Sequence, residues 1–95
     1  MAPIRRLVID VLKPHEPGLV EFAQSLLGTD GVEALSSSLV EIDREVQNVK
    51  LTFEGDDLDV DAIEAAVERQ GGSVHSVDEV ACGEYVVEDR PTLQD

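Results

Sequence analysis

Apolar side chains alternate along IRRLVIDVL, residues 4–12. Leu7, Ile9 and Val11 fall on one side, and Arg6, Val8, Asp10 and Leu12 on the other, which is the period-two pattern of a strand. The KPHEP stretch breaks the pattern, and Pro17 suits the first turn of a helix. Leu19, Phe22, Ala23 and Leu26 then recur at i, i+3, i+4 and i+7, one helical face. Gly28 ends that helix and TDG turns the chain. VEALSSSLVEI predicts a second strand, DREVQN a hairpin connection, and VKLTF a third strand with Val49, Leu51 and Phe53 inward. A second helix is expected from about Val60 to Gln70, with Ile63, Ala66 and Val67 on its apolar face and Gly71-Gly72 as its stop. SVHSVDEVACGEYVV gives a fourth strand with an extension, and EDRPTLQD is a polar tail.

The order βαββαβ predicts an α+β, ferredoxin-like sandwich. Right-handed crossovers place the strands 4-1-3-2 in one antiparallel sheet with both helices on one face. Strands one and three are central; strands two and four are edges. The domain is expected over residues 1–87, with the tail at 88–95. The other face of the sheet is left open, and Val8 and Leu12 are expected to lie exposed on it.

Composition narrows the function. Ninety-five residues suffice for one modest core, and with 42% apolar but only 3% aromatic residues that core must be aliphatic. There are 21 Asp and Glu against 7 Lys and Arg, a net charge of −14. The acids are dispersed and lysines are few, a balance that salt screens and that points to a halophilic source. Nucleic acid and anionic membrane surfaces are both expected to be excluded as partners, because each needs a basic footprint. Cys82 has no second cysteine to pair with and sits in an apolar run as a structural thiol. No signal peptide or membrane-length apolar stretch is seen, so a cytoplasmic protein is expected.

EGDDLDVDAIE, residues 54–64, looks like a calcium loop because oxygen ligands alternate along it. Most of it is explained as a helix start. Asp59 is placed to cap the second helix, Leu58 and Ile63 form a hydrophobic staple, and Asp61 and Glu64 complement the helix dipole. The glycine and distal glutamate of an EF-hand are missing. Asp56 and Asp57 are not used by capping and stay open as metal ligands. Other acids stand out by position. Asp10 interrupts a central strand, where a charge costs free energy unless paired; an ion pair with Lys50 or Arg6 would satisfy it. Asp78 and Glu79 interrupt strand four, where charge protects an edge from aggregation. Glu41 and Asp43 end strand two. All of these are also oxygen donors of the kind calcium takes.

Catalysis has little to build on. His15 lies in a Pro-flanked loop and His75 on strand four; there is no nucleophile elbow and no phosphate-binding glycine loop. One cysteine is too few for a soft-metal carrier. The chain is expected not to be an enzyme.

IDVLKPHEP, LVEIDREVQNVKLTFEGDDLD and GGSVHSVDEV resemble the archaeal family called domain of unknown function 211, over roughly residues 4–83. The resemblance implies a ferredoxin-like fold, ring-shaped homo-oligomers that are heptameric in known members, calcium as a bound ion, and no established enzymatic role. Calcium ligands carried over by matching residues are Asp10, Asp43, Asp56, Asp57, Asp78 and Glu79. Two expectations for function follow. One is a calcium-binding, self-assembling protein whose rings stack, through calcium bridging acidic rims at Asp43 and at Asp56-Asp57, into cytoskeleton-like filaments. The other is a small-molecule-binding regulatory module of the ferredoxin-like, ACT-like type.

Overall fold

The computed structural model describes residues 2–87; the tail expected at 88–95 lies outside the described residues. The chain runs β1 (Ile4–Pro14), α1 (Leu19–Leu27), β2 (Ala34–Ile42), β3 (Val46–Glu54), α2 (Val60–Arg69) and β4 (Ser73–Cys82). The four strands form one antiparallel sheet in the order β2-β3-β1-β4, which is the expected order read from the opposite edge. This is the ferredoxin-like α+β sandwich.

The core forms on the side that the alternation of β1 assigned to it. Leu7, Ile9 and Val11 pack with Val49, Leu51 and Phe53 of β3, with Phe22 and Leu26 of α1, and with Ile63, Ala66 and Val67 of α2. Both helices therefore cover the same face. Burying each Val, Leu, Ile or Phe of this core stabilises the fold by about 1.5–3 kcal/mol before entropy is subtracted. Asp59 caps α2, its Oδ1 accepting from the Ala62 N–H at 3.1 Å. Leu58 and Ile63 on either side of the cap are both buried.

Some boundaries differ from expectation. β3 begins at Val46, so the hairpin connection shrinks to Asp43–Glu45, because the pairing with β1 extends to Gln47 and Val46. α1 begins at Leu19, behind an extended Gly18 that supplies no side-chain cap, so Pro17 precedes the helix and is not in its first turn. Val8 is not exposed on the open face: it is buried, at 5%. Its cross-strand neighbours are Thr52 and Glu79, so Val8 sits between polar side chains on both adjoining strands. Leu12 is half-buried.

The β1 alternation also runs one step further than its apolar run. Lys13 follows Leu7, Ile9 and Val11 onto the covered side and is 1% exposed. Its Nζ donates to the Pro14 carbonyl at 2.8 Å and to Gln47 Oε1 at 3.0 Å. It also lies 5.3 Å from the Phe22 ring centroid. Burial pushes the ammonium below its usual pKa, an effect partly opposed by Glu16.

Candidate functional site

The six acids singled out by sequence occupy three places. On the open face, Asp10, Asp78 and Glu79 line a shallow concavity of about 370 Å³ with Val8, Asn48 and Lys50. Asp10 lies directly across from Lys50 in the β1–β3 register. The expected ion pair with Lys50 or Arg6 does not form; the carboxylate accepts from Asn48 Nδ2 at 2.6 Å. Arg6 is turned to Glu54 at 2.9 Å and to Glu79 at 3.7 Å. Asp78 is the extra residue of a β-bulge, between the pairs Val8–Glu79 and Ile9–Val77. It accepts from Ser76 Oγ at 2.8 Å. A bulge with adjacent charges is how edge strands avoid pairing, so the structural role expected of Asp78 and Glu79 fits their setting.

The second place is the end of the sheet where β1 begins. Arg5 Nη1 holds Asp56 at 2.9 Å, and Arg5 Nε donates to the Gly83 carbonyl at 2.8 Å, so one arginine ties the β3–α2 loop to the end of β4. Asp57 faces another concavity, of about 520 Å³, with Asp30, Asp59 and Asp61. That closeness depends on two glycines. Gly31 has φ +87°, and a Cβ there would stand 2.9 Å from the Asp57 carbonyl oxygen. Gly55 packs its Cα against the Gly31 carbonyl with no room for a side chain. The TDG turn thus abuts the GDD loop, making one acidic end of the molecule.

Asp43 is at the opposite end. Its N–H donates to the Val46 carbonyl at 3.0 Å to close the hairpin, and its carbonyl accepts from His15 Nε2 at 2.8 Å. The KPHEP loop and the β2–β3 hairpin therefore share this end.

Calcium takes six to eight oxygens. Among the described residues, no group of three or more His, Cys, Asp or Glu is arranged to hold a metal ion. Asp56 and Glu79 are engaged by arginines, and Asp43 and Asp57 lie at opposite ends.

Sequence reasoning placed strands two and four at the edges of the sheet and missed the apolar strip on β2. Leu39, Val40 and Ile42 of β2 are 46%, 60% and 57% exposed, and Val77 and Val80 of β4 are 55% and 50% exposed. Tyr85 and Val87, just beyond β4, are 79% and 74% exposed. The signal was present in the run LVEI at the end of an edge strand, where valine and isoleucine have no second sheet to pack on. Cys82, expected in an apolar setting, is exposed. Among the described residues, no helix is long and apolar enough to cross a membrane.

Two comparisons bear on kinship. The family model for DUF211, described as uncharacterized ArCR, matches residues 5–95. An uncharacterized protein of Methanocaldococcus jannaschii is 43% identical over 95 residues, covering 100% of this chain and 98% of that relative. With a family match over nearly the whole length and a relative aligned end to end, the chain belongs to the DUF211 family.

Proposed function

We propose that this chain is a non-enzymatic, cytoplasmic assembly protein that forms a closed homo-oligomeric ring, with calcium bridging acidic rims of neighbouring rings into a filament. The observation that carries the reading is the pair of apolar edges. Leu39, Val40 and Ile42 on β2 and Val77 and Val80 on β4 sit on opposite margins of the same sheet, and Tyr85 and Val87 are exposed on the segment that follows β4. A contact between unlike patches is heterologous, and it makes a ring when the rotation closes. Both patches are then buried in every subunit.

The acids supply the second half of the reading. Asp43 lies at one end of the sheet and Asp56 and Asp57 at the other, so a ring formed edge to edge presents acids on both of its rims. Like charges oppose stacking, and a divalent ion that shares carboxylates between rings reverses the sign of that contact. An ion shared between copies also suits a chain whose described residues gather no three such ligands in one place. Repetition around the ring makes the response steep. Light scattering of the purified chain in molar salt, with calcium and then with chelator, tests both halves: a ring mass without calcium, and reversible growth with it.

The open-face concavity favours a second reading, a module that binds a small zwitterion. Lys50 has no ion pair among the described residues, and Asp10 and Asp78 line the same hollow. Calorimetric titration with free amino acids separates the readings, since the assembly reading expects no heat of binding.

A further inference from the structure

Among the described residues, β2 is an unguarded edge. Its partner strand lies on one side only, and from Ala34 to Val40 it carries no charge, in a chain with 21 acids. The other edge is blunted. β4 meets β1 with three register irregularities, and Asp78 and Glu79 lie along it. Natural sheets protect long edges with charge, bulges or a cover. β2 has one irregularity, at Val40, and next to it the exposed strip Leu39, Val40 and Ile42.

The same chain carries a segment suited to cover such an edge. After β4 the backbone turns at Gly83, with φ +120°, and Gly83 is held by the Pro3 carbonyl and by Arg5. Glu84, Tyr85 and Val86 then line a hollow with Glu33 and Ala34, at the start of β2. The arm bends over Gly83–Tyr85 in the single chain; once extended, as Tyr and Val favour, it carries Tyr85 and Val87, two residues apart, on one side. The arm cannot reach the strip of its own β2. Leu39, the near end of the strip, lies five residues beyond Ala34, about 16 Å along the strand at about 3.3 Å per residue, and only Val87 of the arm follows Val86.

We propose that the arm Gly83–Val87 of one copy docks along the Leu39–Ile42 edge of the next, adding an extended segment to its sheet. The occupant of the edge is a second copy of this chain and the contact is heterologous, so it repeats from subunit to subunit. This proposal rests on the assembly reading and names the contact that holds it together. The arm is preferred over a direct β2-to-β4 meeting because β4 brings its bulges and charges to that contact and the arm brings Tyr85 and Val87.

The test uses the full chain with Cys82→Ser, so that only introduced thiols react. Two single-cysteine variants, Val40→Cys and Tyr85→Cys, are oxidised separately and as a mixture, and run on non-reducing gels. The expected result is a cross-linked dimer in the mixture alone. In parallel, Tyr85→Ser with Val87→Ser is expected to raise the protein concentration at which assemblies half dissociate by at least about tenfold. Both side chains are exposed, so the fold and its circular dichroism should not change. If the unmodified chain assembles but the mixture gives no cross-link and the double variant dissociates like the parent, the arm is rejected and the assembly reading stands. Cross-linking of Val40→Cys with itself alone rejects the arm in favour of a symmetric β2-to-β2 contact. A parent chain that is monomeric at every concentration overturns both.

Discussion

Gly55→Ala should unfold the acidic end of the molecule. A Cβ on Gly55 falls far inside contact distance of the Gly31 carbonyl oxygen and 3.1 Å from Leu58 Cδ2. The obstruction is backbone, so no side-chain rotamer relieves it. Neither partner is free to retreat. The Gly55 N–H is bonded to the Arg5 carbonyl at 3.1 Å, Leu58 N–H to Ile4 carbonyl at 2.8 Å, and Glu33 N–H to Glu54 carbonyl at 2.9 Å. Overpacking of this kind costs about 1–3 kcal/mol, and each hydrogen bond lost as the loop shifts adds about 0.5–1.5 kcal/mol. With one bond lost the total is about 1.5–4.5 kcal/mol, or a fall in Tm of roughly 6–36 °C for a domain of this size. Gly18→Ala is the matched control. Nothing lies within 4 Å of its Cβ position and its φ is −67°, so that change should stay within about 0.5 kcal/mol. The assay is thermal and urea unfolding followed by circular dichroism in molar salt, at one protein concentration because assembly shifts Tm. A Gly55→Ala chain within 1 kcal/mol of the parent on the scale of these costs would show that the crossing of the two loops is not as tight as described.

Asp59→Ala removes the α2 cap and should cost about 0.5–2 kcal/mol in urea unfolding, with Asp59→Asn recovering most of it. Lys13 has a folded pKa below its usual 10.5, so the folded state sheds that proton first as pH rises. Its burial cost is present in full at neutral pH and falls away between the lowered pKa and 10.5. The parent should therefore gain stability relative to Lys13→Met in that alkaline window, and equal slopes of unfolding free energy against pH for the two chains would contradict it. Dialysis to about 0.01 M salt lengthens screening to about 30 Å, and the −14 charge per chain should then lower Tm and drive dissociation, partly reversed by millimolar calcium. Unchanged size and melting would show that charge repulsion is not limiting.

Much of the fold was legible because its signals are local. The period-two run of β1, the helical spacing of Phe22 and Leu26, and Asp59 followed by Ala62 each specify an element without reference to distant residues. What escaped depends on neighbours across the sheet. Val8 reads as exposed from its own strand and is buried because Thr52 and Glu79 flank it. Asp10 reads as the partner of a cation and bonds Asn48, a diagonal neighbour. Lys13 is a charge at the end of an apolar run, yet it obeys the alternation and goes inside because Gln47 and the Pro14 carbonyl satisfy it. The candidate ligands were legible as residue types, but which of them share a place is a matter of topology. Among the described residues, Asp10, Asp78 and Glu79 share one concavity.

The claim that two unlike apolar edges build a closed ring is met most directly by mass in solution. Size-exclusion chromatography with multi-angle light scattering, in molar salt at micromolar concentration, should give one species at a whole-number multiple, three or more by ring closure, of the 10.3 kDa chain. Adding calcium should shift that species to larger, chelator-reversible particles. A single peak at 10.3 kDa, unchanged by concentration or calcium, would contradict the account.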